Sequence, residues 1–335
     1  MNVILDTNIY YNNYFFNSPK FIGLFDYLPK TSSKLFLISV VKDELLQKYK
    51  EEVGKFVLAH NSSVKVFARK PNFIDSSSFI KEFEKYIENH INIYKDIIDE
   101  VALEKLDISY PEIIKRAIKK ETPFDSTGRG FRDSLIWFAV LEIAKSIPKS
   151  EKICFISNDK KAFGSSVLKE ELLADLKSRE LSIEFFNSLE EFLSMHGKKL
   201  EFLDGEYLDT FIESDAVRNH IYELIANDVF DKNTDSDCGT KYDEYEVIDF
   251  DIDFIDIENF YIYDETEESY LIFIELGIAL GMKIEYKRGF ENLSKISSFE
   301  EEIESGWISE NIELIIDKKT KKPKLNLDRK ITILR

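Results

Sequence analysis

The sequence predicts an α/β fold with a mostly parallel sheet over residues 1–200, followed by a smaller α+β domain with an antiparallel sheet over residues 201–335. Short runs rich in Ile, Phe and Val are typical of buried parallel strands. Four such runs occur in the first part, VILD at 3–6, KLFLIS at 34–39, KICFIS at 152–157 and LSIEFF at 181–186. Amphipathic segments such as SLIWFAVLEIAKSI separate them, and this alternation is typical of layered α/β proteins.

Residues 75–120 interrupt the alternation. They contain long, charged helical patterns, the clearest of which is FIKEFEKYIENHINIYKDIIDEVALEKL. We interpret this stretch as a helical insertion that stands off the sheet.

A change of composition near residue 200 predicts the domain boundary, where Gly197 and two lysines are typical of a helix end. The segment YLDTFIESDAVRNHIYELIANDVF then predicts one or two helices, and DKNTDSDCGTKYDEY predicts a loop. The almost strict alternation of EVIDFDIDFIDIENFYIYD predicts a strand pair with one solvent-exposed face. Further strands are predicted at SYLIFIELGIALGMKIEYKR, ENIELIIDKK and KITILR.

The formal net charge of −18 is concentrated in the second domain. Residues 1–200 carry 30 basic and 29 acidic side chains, whereas residues 201–335 carry 15 and 34. An acidic surface repels polyanions, so any contact with nucleic acid is expected to be local and on the first domain. The acidic face of the second domain could dock a basic protein partner or mimic nucleic acid. Alternatively, the basic stretch DKKTKKPKLNLDRKITILR pairs with that face inside the same domain.

Cysteine and histidine usage points away from disulfides and from a zinc motif. Cys154 and Cys238 cannot form a disulfide framework and match no zinc spacing, which favours a reducing intracellular setting. No ligand spacing relates the four histidines, His60, His90, His196 and His220. The start MNVILDTNIYY lacks the pattern of a signal peptide, and Glu275 breaks the longest apolar run. We expect a cytoplasmic protein that does not associate with membranes.

Four acidic residues occupy positions where a ligand site forms in such folds. Asp6 and Asp159 follow two predicted strands, and ligands of open α/β sheets gather beyond the carboxyl ends of strands. Glu44 lies early in the helix after KLFLIS, and Asp133 opens a helix whose dipole stabilises an anion. Asp43 adjoins Glu44, which we prefer because Leu45 and Leu46 follow it. Each acid taken alone is also a common helix cap or surface residue.

A divalent cation would remove the repulsion among four carboxylates in one cleft. Oxygen ligands without His or Cys suit Mg²⁺ or Mn²⁺ rather than zinc. One or two such ions can activate water and neutralise charge on a phosphodiester. The four acids therefore predict phosphodiester hydrolysis.

These residues resemble the PIN-domain (PilT N-terminus-like) nucleases, in particular longer bacterial PIN proteins with a helical insertion and an extra C-terminal domain. The family's motifs are an Asp-Thr-Asn after strand one, a Glu in the helix after strand two, an Asp that opens a helix, and an Asp after strand four. Their matches occur in family order over about residues 1–196, with Asp6, Thr7 and Asn8 first, then Glu44, Asp133 and Asp159. The resemblance implies a PIN-like α/β/α sandwich and Mg²⁺- or Mn²⁺-dependent cleavage, most often of RNA.

The resemblance also implies roles for individual residues. The four acids would be the catalytic metal ligands, and Asn8, Ser157 and Asn158 would orient them by hydrogen bonds. Basic residues near the acids could contact the nucleic-acid backbone, although solvated surface charge is an equally ordinary explanation. These are Arg129, Arg132, Lys160 and Lys161, with a patch at Lys115, Arg116, Lys119 and Lys120 on the insertion.

The function predicted from the sequence is a metal-dependent endonuclease, with RNA as the favoured substrate. A toxin, stress or phage-defence role and a homodimer follow from the resemblance alone. One alternative is a non-catalytic PIN-like scaffold, and another is a DNA nuclease of the flap-endonuclease type. The intact set of acids favours catalysis over the scaffold. The sequence lacks the further acids and the DNA-binding motifs that are typical of flap endonucleases.

Overall fold

A computed structural model describes residues 1–11, 13–67, 73–231, 244–287 and 299–326. The chain divides after Gly197 into two compact units. The first unit contains β1 (Asn2–Leu5), α1 (Thr7–Tyr10), α2 (Pro19–Lys30), β2 (Lys34–Ile38), α3 (Ser39–Phe67), α4 (Ser76–Ile93), β3 (Ile98–Val101), a 3-10 turn (Leu103–Lys105), α5 (Tyr110–Lys119), α6 (Phe131–Ser146), β4 (Ile153–Ile156), α7 (Glu170–Ser178), β5 (Glu184–Phe186) and α8 (Leu189–His196).

The strands of the first unit form one parallel sheet in the order β3-β2-β1-β4-β5. The central strand β1 is buried along its whole length, as is β4, which explains why both are apolar apart from Asn2. Leu5, the last residue of β1, pairs with Ile156, the last residue of β4. The residues that follow these two strands therefore meet at the same edge of the sheet.

Helices pack on this sheet to complete the layers. Helix α6 buries ten of its sixteen residues, including Trp137 and Phe138, which is why its central part is apolar all round. Helix α2 packs against α8, while α3 and α5 pack against α6. The predicted α/β/α sandwich with a parallel sheet is confirmed.

The insertion differs from the prediction because it contributes a strand to the sheet. The helical pattern ends at Ile93, and Ile98–Val101 then forms β3, which pairs in parallel with β2 at the sheet edge. Pairing with β2 satisfies the backbone hydrogen bonds of this short segment. Such pairing cannot be read from the spacing of apolar residues within the segment itself. Helix α4 packs on the 29-residue helix α3, where the rings of Tyr49 and Phe83 stack at 3.9 Å between centroids.

The second unit is an antiparallel sheet with leading helices, as predicted. Its described elements are α9 (Gly205–Ile212), α10 (Asp215–Asp231), β6 (Glu244–Glu265), β7 (Ser269–Lys287), β8 (Phe299–Asp317) and β9 (Pro323–Leu325), with sheet order β6-β7-β8-β9. Apolar residues of both helices share a core with the sheet, as Leu208 and Ile221 do with Ile274. The segment KITILR, most of the predicted loop and Cys238 lie outside the described residues.

The alternating acidic segment forms one continuous strand, so the predicted strand pair is wrong. Strand β6 has 22 residues and contains no turn sequence. The register with β7 shifts at four regularly spaced irregularities, Val247/Asp249, Ile252/Phe254, Ile257/Asn259 and Ile262/Asp264. Irregularities of this kind increase local twist, which lets a long strand coil instead of turning back.

Among the described helices, none has both the length and the apolar character needed to cross a membrane.

Candidate metal centre

Asp6 lies directly after β1, where it caps the short helix α1. Its side chain is buried, with 4% of the residue exposed. Oδ1 accepts a 2.7 Å hydrogen bond from the backbone N–H of Thr7, and Oδ2 accepts bonds from Asn8 Nδ2 at 2.7 Å and Ser157 Oγ at 2.6 Å. Asn8 Oδ1 in turn accepts a 3.2 Å bond from the backbone N–H of Asn158. These donors fix the orientation of the Asp6 carboxylate.

Asp159 belongs to the loop after β4, beside the same sheet edge. Its backbone N–H donates a 3.1 Å hydrogen bond to Ser157 Oγ, the atom that also bonds Asp6. One of its carboxylate oxygens accepts bonds from the backbone N–H groups of Lys161 and Ala162, at 2.9 and 2.8 Å. The Ser157 hydroxyl therefore connects the residues that follow two neighbouring strands.

Glu44 lies on α3 and turns its carboxylate toward α1. Its Oε2 accepts a 3.0 Å hydrogen bond from Thr7 Oγ1, and its Oε1 accepts one of 3.3 Å from the hydroxyl of Tyr11. Oε1 also pairs with the guanidinium of Arg132. The Glu44 side chain is 11% exposed, whereas the preceding Asp43 is exposed to solvent. Of the two adjacent acids, it is Glu44 that adjoins Asp6, and Tyr11 is a partner that sequence patterns did not single out.

Asp133 is the third residue of α6, in the first helical turn. Gly130, the N-cap of this helix, has a φ of +122°, which side chains rarely adopt. A Cβ at Gly130 would lie 2.5 Å from the carbonyl oxygen of Pro123. The glycine therefore permits the close approach that fixes where α6, and with it Asp133, begins.

The acids interact electrostatically. Burial and, less strongly, the charges of Asp133 and Glu44 raise the pKa of Asp6 to about 7, against the lowering effect of the hydrogen bonds from Ser157 and Thr7. Burial likewise raises the pKa of Asp133 to about 6, with contributions from Asp159 and Glu44. Each acid thus lies in the field of at least one other, and a bound cation would relieve the repulsion.

The chemistry of these donors fits a hard divalent cation, because all are carboxylate oxygens. Their spacing is looser than that of a closed metal site. Among the described residues, the trio of metal-ligating atoms that lie within 4.8 Å of one another is found elsewhere in the unit. The Glu44 carboxylate is paired with the guanidinium of Arg132, which competes with a metal ion for it. Joint coordination by all four acids would therefore require adjustment of the Glu44 side chain.

Most of the basic residues considered as nucleic-acid contacts are exposed. Arg129 lies on the surface of the loop that precedes α6, and Lys160 and Lys161 lie on the surface of the loop that carries Asp159. Arg132 is 60% exposed although it pairs with Glu44. Lys115 and Lys119 are exposed on α5, and Lys119 lies 3.1 Å from a carboxylate oxygen of Glu121.

Arg116, which the sequence placed in the same basic patch, is buried. It is 7% exposed and pairs with Asp175, whose other oxygen accepts a 2.8 Å hydrogen bond from Trp137 Nε1. Arg116 also donates a 2.7 Å bond to the carbonyl oxygen of Thr122. Its inclusion in a nucleic-acid-binding patch is wrong, because the charge helps to form a buried network.

Comparison with protein-family models identifies a PIN domain over residues 3–163. The matched stretch begins in β1, includes all four acids and ends just after Asp159. No curated protein and no solved structure matches the chain significantly. PIN domains are in general nuclease domains that act on nucleic acid and use divalent metal ions. Residues 3–163 thus form a PIN domain.

Proposed function

We propose that the protein is an Mg²⁺- or Mn²⁺-dependent endoribonuclease whose metal ligands are Asp6, Glu44, Asp133 and Asp159. The observation that carries the proposal is the state of Asp6. Its carboxylate is buried, has a pKa raised to about 7 and lies in the field of Asp133 and Glu44. Placing several acids close together costs free energy through their mutual repulsion, and a purely structural role does not require it. Acids with strongly raised pKa values are typical of functional sites.

The neighbouring side chains would keep the ligands oriented for a hard cation. Ser157 and Asn8 donate to Asp6, and Thr7 donates to Glu44. Hydrogen bonds of this kind hold ligating carboxylates in place. A divalent ion in this site would activate a water molecule for attack on a phosphodiester and neutralise charge on the leaving oxygen.

Exposed basic side chains beside the acids would position the phosphate backbone. Arg132 is the strongest candidate, because its guanidinium already lies at Glu44 and 60% of its side chain remains accessible. Lys160 and Lys161, next to Asp159, would contact further phosphates along the RNA backbone. The substrate would engage the first unit, because residues 201–335 are strongly acidic and repel a polyanion.

The test is cleavage of labelled RNA and DNA by the purified full-length protein in Mg²⁺, in Mn²⁺ and in EDTA. Wild-type protein should cut RNA faster than DNA, EDTA should abolish cleavage, and Asp6→Asn and Asp133→Asn should each lose it. Faster cleavage of DNA would keep the metal site and overturn the RNA assignment. A folded wild-type protein that cuts neither polymer with either ion would overturn catalysis in favour of a scaffold role.

A further inference from the structure

A second cluster of metal-ligating side chains lies in the first unit, away from the carboxylates. The Sγ of Cys154, a carboxylate oxygen of Glu184 and a ring nitrogen of His196 all lie within 4.8 Å of one another. Cys154 is near the amino end of β4, whereas Ser157 follows its carboxyl end. At roughly 3.3 Å per residue, the two sites are about 10 Å apart along this strand. The cluster is therefore distinct from the site proposed for catalysis.

Three separate elements contribute to the cluster. Cys154 is the second residue of β4, Glu184 is the first of β5, and His196 is the last of α8. Strands β4 and β5 are hydrogen-bonded neighbours, and Cys154 pairs directly with Glu184 in their register. Helix α8 packs beside β5 and delivers the imidazole. The fold of the first unit thus assembles the group without help from a flexible loop.

The distances within the cluster are close to those around a tetrahedral zinc ion. Glu184 Oε2 lies 3.0 Å from His196 Nε2 and 3.8 Å from Cys154 Sγ. Zinc bonds of about 2.3 Å to sulfur and about 2.0–2.1 Å to nitrogen or oxygen place neighbouring ligand atoms about 3.3–3.5 Å apart. Small side-chain adjustments would therefore bring all three atoms onto one ion.

We propose that Cys154, Glu184 and His196 bind one Zn²⁺ ion, with solvent as the fourth ligand. A thiolate and an imidazole favour zinc over Mg²⁺ or Ca²⁺, and a carboxylate oxygen is a poorer ligand for Cu⁺ than for zinc. Two anionic ligands neutralise the charge of the ion. Bound there, zinc would cross-link β4, β5 and α8 and stabilise the first unit.

The surroundings of the cluster supply further support. Lys152 Nζ bonds the other oxygen of Glu184 at 2.8 Å, which leaves Oε2 directed at Cys154 and His196. Hydrogen bonds to the non-ligating oxygen orient carboxylates at metal sites in this way. Within the described part of the chain Cys154 is a free cysteine, and it is wholly buried, so its sulfur is protected from competing reactions.

Binding requires the thiol to lose its proton. Burial and, less strongly, the charge of Glu184 raise the pKa of Cys154 to about 12. The thiol proton therefore leaves to solvent when the Zn–S bond forms. The metal concentration for half-saturation should fall by up to about tenfold for each unit of rising pH.

The experiment is a titration of chelator-treated, full-length protein with Co²⁺ in the presence of a thiol-free reductant. Cobalt bound to a thiolate gives a sulfur-to-metal charge-transfer absorption, which the carboxylate site cannot produce because it contains no sulfur. We expect one equivalent of Co²⁺ to produce this band and Zn²⁺ to abolish it by displacement. Zn²⁺ should also raise the Tm of the wild-type protein.

Cys154→Ser should lose the charge-transfer band, whereas the matched control Cys238→Ser should keep it. His196→Gln changes a less buried ligand and serves if Cys154→Ser does not fold, and it should raise the half-saturating Co²⁺ concentration at least about tenfold. Absence of the band in folded wild-type protein would overturn the proposal. So would loss of the band in Cys238→Ser, or an unchanged titration in His196→Gln.

Discussion

Ser157 Oγ donates a 2.6 Å hydrogen bond to Oδ2 of Asp6 across the two neighbouring strands β1 and β4. Ser157 is wholly buried, so this bond is not exchanged with solvent. The bond lowers the pKa of Asp6 and so opposes the effect of burial. The Ser157 donor therefore favours the ionised carboxylate of Asp6, which is the form that binds a metal ion, near neutral pH.

Ser157→Ala should weaken metal-dependent cleavage by about 10- to 100-fold, because removal of a group that orients a ligand costs about that much. The pKa of Asp6 should rise, so the pH profile of cleavage should move to higher pH. The measurement is the rate against pH at fixed Mg²⁺. A uniform loss of rate with an unmoved profile would contradict the role assigned to Ser157.

Stability in EDTA should fall as pH rises. Asp6 and Asp133 have pKa values of about 7 and about 6 when folded, both raised from 3.8. Each binds its proton more tightly in the folded state, so its stabilisation is complete below about pH 4 and is lost as pH rises through the folded pKa. For Asp6 the loss is on the order of 2–4 kcal/mol in the free energy of unfolding.

Urea unfolding between pH 5 and pH 8 measures this loss. Asp6→Asn should flatten the dependence, and Mg²⁺ should restore wild-type stability at pH 8 by binding the ionised carboxylates. Equal slopes for the wild-type protein and Asp6→Asn would show that the carboxyl is not perturbed as described.

Gly130→Ala should destabilise the first unit and impair cleavage. Its φ of +122° is strained for alanine, and the new Cβ would meet the Pro123 carbonyl oxygen at 2.5 Å. The cost should exceed about 1 kcal/mol. Gly54→Ala, in open space inside helix α3, should instead raise stability by about 0.5–1 kcal/mol. The two Tm shifts should have opposite signs, and a neutral Gly130→Ala would contradict the strained turn.

Adjacent basic residues on α5 should behave differently. Arg116→Ala leaves Asp175 without its charge partner in a largely buried position, so it should cost about 3 kcal/mol of stability. Lys115→Ala, at an exposed position, should change stability by less than about 0.5 kcal/mol and weaken RNA binding if the patch contacts substrate. Thermal unfolding and RNA titrations of both variants give the comparison. Equal stability of the two would contradict the buried network.

The sequence was most informative where local pattern and fold agree. Apolar runs predicted β1, β2, β4 and β5, and the predicted acids Asp6 and Asp159 follow two neighbouring strands at one edge of the sheet. Their role as metal ligands stays a prediction. Strand β3 was missed because its formation depends on pairing with β2. Pairing across the sheet leaves no signal in the spacing of residues along one segment.

Other features depended on contacts between residues distant in sequence. The basic residues around Arg116 are typical of a surface patch, whereas its partner Asp175 is 59 residues away in the sequence and leaves no local signal. Cys154, Glu184 and His196 match no zinc motif in the sequence, because they are far apart along the chain. The pairing of β4 with β5 and the packing of α8 bring them together in the fold. The segment of β6 was predicted as a strand pair because its length suggested a turn. The strand instead runs on without a turn, with four evenly spaced shifts in its register with β7.

The most direct test of the proposed nuclease site compares two adjacent acids on α3. Glu44 bonds Thr7 Oγ1 and shares the field of Asp6, whereas Asp43 is exposed. Metal-dependent RNA cleavage should fall at least about 100-fold in Glu44→Gln and remain near the wild-type rate in Asp43→Asn. Equal activity of the two variants, with both folded, would contradict the assignment of Glu44 and with it the four-carboxylate centre.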